Sequence, residues 1–133
     1  MSQPPAPVPA LAPHVLVVDD DASLFRMIRL SLATEGLRVT TTEDGIDGLE
    51  QLDADSYDLV VLDLQMPRID GRTMFTEMRV RGHALPVMFL SAYGAAQARR
   101  ELGAEDAMSK PFDIDDLINR VRALIEPAHA AQD

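Results

Sequence analysis

The sequence predicts an α/β fold, a doubly wound five-stranded parallel sheet with helices on both faces. Two observations carry the prediction. Five short β-branched or apolar runs alternate with five stretches of helical periodicity, and parallel strands need such crossovers, which are right-handed. Three of the runs, VLVV, LVVL and VMFL, are apolar without interruption, as strands buried on both faces are. The 133 residues and 47% hydrophobic share suit one domain with a sizeable core.

The elements follow in order. The first strand is HVLVV at 14–18, and the first helix covers 22–34, with Leu24, Phe25, Ile28 and Leu32 on one face and Gly36 placed to end it. The second strand is LRVTT at 37–41, followed by a helix over 45–53 whose apolar face is Ile46, Leu49 and Leu52. DLVVL at 58–62 is the third strand, and the helix 71–80 follows Gly71 with Met74, Phe75 and Met78 facing inward. PVMFL at 86–90 is the fourth, leading to a short Ala/Arg-rich helix over 94–102. The fifth strand is weak, DAMS at 106–109. The last helix, 113–125, carries the cleanest stripe (Ile114, Leu117, Ile118, Val121, Leu124, Ile125), with Asp113 as its N-cap. With few aromatics, the seven Met read as core filler, Met74, Met78, Met88 and Met108 foremost.

The folded unit is read as 14–126. Residues 1–13 hold five of the nine prolines and read as a disordered Pro/Ala-rich tail, and 127–133 as a flexible one. The N-terminus lacks a basic region and a continuous apolar core, so it does not read as a signal peptide. No apolar run approaches the roughly 18 residues of a membrane span. The absence of cysteine excludes disulfides, thiolate–zinc sites and a cysteine nucleophile, and fits a cytoplasmic location. A net charge of −10 argues against a nucleic-acid surface. No output domain is read after Pro127, so DNA binding by this chain is not expected.

Open α/β sheets bind ligands at the carboxyl ends of their strands. Asp19 and Asp20 follow the first strand, Asp63 the third, Ser91 and Ala92 the fourth, and Lys110 the fifth. Carboxylates suit a hard cation such as Mg²⁺, and lysine and a hydroxyl suit phosphate oxygens. The acidic cluster is therefore expected to take Mg²⁺ and a phosphoryl group. The three histidines (His14, His83 and His129) are not spaced as a metal or phosphotransfer site.

From 14 to 126 the chain resembles the receiver (CheY-like) domain of bacterial two-component response regulators. VLVVDDD, VVLDLQMPRIDG, FLSAYG and KPF carry the resemblance, in the right order on the right elements. It implies a flavodoxin-like sheet of order 2-1-3-4-5 and a phosphoacceptor signalling protein rather than an enzyme. Asp63 would be the phosphoacceptor. Asp20, Asp63 and the backbone carbonyl of Gln65 would ligate Mg²⁺, with Asp19 acting through water. Lys110 would pair with a phosphoryl oxygen and, before transfer, with Asp63; Ser91 would hydrogen-bond the phosphoryl group; Ala92 would leave it room. Pro111 would follow a cis bond that aims Lys110. Asp21 falls outside the acidic pair and reads as helix-end charge.

The implied function is a stand-alone, cytoplasmic response regulator, phosphorylated by a histidine kinase or phosphotransfer protein and switching its binding of an unidentified protein target. The kinase contact is expected near Phe25, Met27 and Ile28. Homodimerisation on phosphorylation stays open. The chain departs from the family at the fifth strand, where Ala107 replaces the usual aromatic, and in a segment from Ser91 to Lys110 about one helical turn short. Tyr93 is the nearby aromatic that could act in its place. Alternatives are a phosphorelay intermediate and a pseudo-receiver not switched by phosphorylation. An aspartyl phosphatase would need a second Asp where Gln65 stands, and neither a Walker A nor a GxGxxG loop follows the first strand.

Overall fold

The computed structural model describes residues 12–130. Five parallel strands, β1 (His14–Val18), β2 (Arg38–Thr42), β3 (Leu59–Leu62), β4 (Val87–Ser91) and β5 (Asp106–Ser109), form one sheet in the order β2-β1-β3-β4-β5. The helices α1 (Ala22–Thr34), α2 (Gly45–Ala54), α3 (Gly71–Val80), α4 (Ala95–Leu102) and α5 (Ile114–Ala130) alternate with them. Because side chains alternate along a strand, β1 sends Val15 and Val17 into one core with Leu24, Ile28, Leu117 and Val121. Leu16 and Val18 go into the other, with Leu49, Met74, Met78 and Phe89. The three central strands are thus buried on both faces, which their unbroken apolar runs require.

Asp21, Asp44, Asp70 and Asp113 cap α1, α2, α3 and α5, each accepting backbone N–H bonds from the first turn. Part of the acid excess is thus helix capping. Asp21 is therefore a cap, bonded to the N–H groups of Ser23 and Leu24. Gly36 ends α1 at φ 82°, with Gly36 N–H on the Ala33 carbonyl and Leu37 N–H on that of Leu32, a Schellman arrangement.

Several boundaries differ from the sequence reading for physical reasons. Leu37 spends its N–H on that helix cap, so β2 begins at Arg38. Pro86 has no N–H to give and β4 starts at Val87, while Ser91 pairs with Ser109 and belongs to the strand instead of following it. α5 continues to Ala130, past the boundary set at 126, with Pro127 inside it. At the other end Ala12 and Pro13 are tied to β2, their carbonyls accepting from the Arg38 side chain and backbone. Residues 1–11 and 131–133, the rest of the expected tails, lie outside the described residues. Met74, Met78, Met88 and Met108 are buried as expected, but Met27 is exposed. Among the described residues no helix is long and apolar enough to cross a membrane.

Candidate functional site

The topology carries Asp19, Asp20, Asp63, Ser91 and Lys110 to the carboxyl edge of the sheet. Asp19 N–H donates to the Thr42 carbonyl (3.1 Å) and Asp63 N–H to the Val18 carbonyl (2.9 Å), so the residues after β1 and β3 are registered against their neighbours. Lys110 N–H likewise donates to the Ser91 carbonyl at 3.0 Å. Below Asp63 the chain is crowded: a Cβ at Gly71 would lie 2.3 Å from the Asp63 carbonyl oxygen and 2.7 Å from Leu64 Cα. Only glycine lets α3 start there.

Carboxylate oxygens of Asp19, Asp20 and Asp63 lie within 4.8 Å of one another. Asp19 and Asp63 are buried, 2% and 5% exposed, and Asp20 is open to solvent. Lys110 Nζ donates to Asp19 Oδ2 at 2.6 Å and to Asp63 Oδ2 at 3.3 Å. The lysine is therefore shared, and nearer Asp19 than the Asp63 partner expected for it. Asp63 Oδ1 accepts from Gln65 N–H (3.1 Å) and Asp19 Oδ1 from Asp21 N–H (3.0 Å). Burial pushes the Asp19 carboxyl above its ordinary pKa, outweighing the opposing Lys110 hydrogen bond. Burial alone would lower the Lys110 ammonium; its bond to Asp19 and the charges of Asp19 and Asp63 raise it instead.

One lysine does not neutralise three carboxylates so close together. All-oxygen donors with a net negative charge suit Mg²⁺, which binds through one or two carboxylates and keeps other positions for water or phosphate. The residues present fit that ion.

Ser91 is completely buried, and its Oγ accepts a long bond from Tyr93 N–H (3.5 Å). Ala92 is exposed, and the Tyr93 side chain projects outward, 74% exposed. The Lys110–Pro111 bond is cis. Ala107 is half-buried on the face of β5 shared with Phe89 and Ala98. On α1, Phe25 and Ile28 are core residues, so of the three expected near a kinase contact only Met27 lies on the surface, with Arg26, Arg29 and Leu30 among its exposed neighbours. The sequence reading missed one pair next to the site. Arg68, in the loop after Asp63, reaches Asp44 at 3.0 Å. Its only trace in the sequence is an arginine within the turn PRIDG.

Residues 15–122 match the family model of the response regulator receiver domain. The chain is 37% identical over 115 residues to response regulator MprA of Mycobacterium ulcerans and 36% over 125 residues to MprA of Mycobacterium bovis, covering 84% and 90% of this chain. It spans about half the length of these relatives, 50% and 54%. Among solved structures it resembles the receiver domain of Francisella response regulator 1452 (TM-score 0.81, 34% identity, covering 87% of this chain and 98% of that one). It also resembles the response regulator TrrA of Thermotoga maritima in complex with Mg²⁺–BeF (TM-score 0.75, 30% identity, covering 84% and 98%).

Proposed function

This chain belongs to the response regulator receiver domain family, and from that premise we propose that it is a phosphorylation-dependent switch whose phosphoacceptor is Asp63. The observation that carries the proposal is the meeting of three carboxylates within 4.8 Å under one lysine that touches two of them. The donor is a histidine kinase or phosphotransfer protein, and the readout is altered binding of a protein target. The reading concerns the receiver and is independent of what lies beyond the ends of this chain.

An Asp63 oxygen forms a bond to phosphorus as the P–N bond to the donor imidazole breaks, leaving an acyl phosphate on the aspartate. Asp20, Asp63 and the Gln65 carbonyl would hold Mg²⁺, with Asp19 reaching it through water. When bound, Mg²⁺ supplies positive charge to the phosphoryl oxygens and carboxylates. Catalysis of such transfer is positioning and charge neutralisation. Lys110, already between Asp19 and Asp63, supplies the second cation and pairs with a phosphoryl oxygen. Ser91 offers its hydroxyl to another, and small, exposed Ala92 leaves that side open. Tyr93, joined to Ser91 through its own N–H and free at its ring, takes the part of the aromatic missing at Ala107.

The test is intact mass after incubation with a small phosphodonor and Mg²⁺, for the wild type, for Asp63→Asn and without metal. We expect one phosphoryl group on the wild type alone, lost without metal. A folded protein that gains nothing from the small donor or from cognate kinases is a pseudo-receiver, and the proposal fails. A phosphoryl group that passes onward while target binding stays constant would make it a relay.

A further inference from the structure

The loop from Asp63 to Asp70 supplies two of the groups assigned to Mg²⁺, the Asp63 carboxylate and the Gln65 carbonyl, and it is held at both ends. At its base, Gly71 N–H donates to the Leu64 carbonyl (2.9 Å) and α3 presses on the Asp63 backbone. At its tip, Arg68 sits at φ 71°, the only non-glycine residue with positive φ among the described residues. Glycine or asparagine takes that conformation more readily than arginine does. Strained backbone of this kind persists where the surroundings enforce it, and it clusters at functional sites.

What the arginine adds is visible. Arg68 Nη1 donates to Asp44 Oδ2 at 3.0 Å, and Asp44 is buried. Its other oxygen caps α2 by accepting from Asp47 N–H at 2.9 Å. Next to the pair, Ile69 packs on Gly45 so closely that a Cβ there would lie 2.6 Å from Ile69 Cγ1. One carboxylate thus joins the start of α2 to the tip of the loop, and the neighbouring contact leaves no room for slip.

We propose that Arg68 is a positioning residue for the cation site: its pairing with Asp44 holds the loop so that Asp63 and the Gln65 carbonyl are preorganised for Mg²⁺. The proposal rests on reading the acidic cluster as a Mg²⁺ site. Groups that orient metal ligands typically carry 10–100-fold in affinity. Arg68 acts through the loop backbone, so a smaller effect is expected, roughly threefold to tenfold.

The experiment is titration calorimetry of Mg²⁺ alone into the full chain at fixed pH and ionic strength, with melting temperatures measured alongside. Arg68→Gly removes the clamp and the backbone strain together. Asp44→Asn keeps an oxygen for the α2 cap and removes the charge. Both are expected to weaken Mg²⁺ binding threefold to tenfold, the double variant no further than either single one, and Arg68→Lys to an intermediate extent. Unchanged Mg²⁺ affinity in Arg68→Gly, whatever its melting temperature, would overturn the proposal, as would additive losses in the double variant. A wild type that takes up no Mg²⁺ would instead overturn the reading of the site.

Discussion

Asp19 sits where a carboxylate is costly. It is buried beside Asp63, and one lysine serves both. Removing charges from water is favourable only when each is fully compensated, and the raised pKa of Asp19 records that compensation is incomplete. Asp19→Asn keeps an oxygen for Asp21 N–H, gives up the one that accepts from Lys110, which then turns to Asp63, and removes one like charge. It is expected to stabilise the metal-free protein by about 1 kcal/mol, the scale of strain commonly released at functional sites. Urea unfolding in the absence of divalent cations checks this; a lower midpoint would mean that the Lys110–Asp19 pair is net stabilising. Sequence alone placed Asp19, Asp20 and Asp63 together, because parallel strands bring their carboxyl ends to one edge. It did not show that Asp19 is buried and Asp20 exposed, nor that Arg68 finds Asp44, 24 residues earlier in the chain. Those depend on loop conformation, which no periodicity encodes.

Among the helices, α4 is the one without a side-chain cap. It starts at Gly94 with φ 73° and buries only Ala95 and Ala98, whereas α3 is capped by Asp70 and buries Met74, Phe75 and Met78. A missing cap is worth about 1 kcal/mol, or roughly fivefold in a local opening equilibrium. Amides in the last turn of α4 are therefore expected to exchange hydrogen at least about fivefold faster than those of the last turn of α3. Equal protection in the two would remove the basis for treating α4 as the loosest helix. It leads directly from Ser91, through Tyr93, so looseness here is where a change at the proposed phosphoryl site would be felt. The same contrast explains what was legible among the elements. α1, α2 and α3 were readable to within a residue or so because each carries an apolar stripe, with Gly36 as the stop of α1. β5 was faint because an edge strand with one fully buried side chain, Met108, carries little pattern. The end of α5 was misplaced because proline reads as a stop, and here the helix runs on through Pro127.

At the scale of the whole molecule, the two ends of β1 pull the pH dependence of stability in opposite directions. Asp19, past its carboxyl end, has a raised pKa; its contribution is complete below the ordinary 3.8 and is lost as pH rises through the folded value. His14, at its amino end, is 6% exposed with its ring on Tyr57 (centroids 4.2 Å apart), Nε2 on Thr40 Oγ1 (2.7 Å) and Nδ1 without a hydrogen-bond partner. Burial first and the Arg38 charge second hold its pKa below the ordinary 6.5, against the opposing influence of Asp55, Ser56 and Asp58. The unfolded chain then takes up this proton before the folded one does. Stability from His14 is therefore full above pH 6.5 and lost as pH falls toward the folded value, by about 1.4 kcal/mol for each unit of depression. The expected outcome is a fall in unfolding free energy between pH 7.5 and about pH 5.5 that His14→Gln flattens and Asp19→Asn leaves in place. Denaturation midpoints across that range, with the difference between wild type and each variant plotted against pH, decide it. A difference curve for His14→Gln with no slope would mean that Asp55, 3.9 Å from Nδ1, closes on the protonated ring and cancels the cost of its burial.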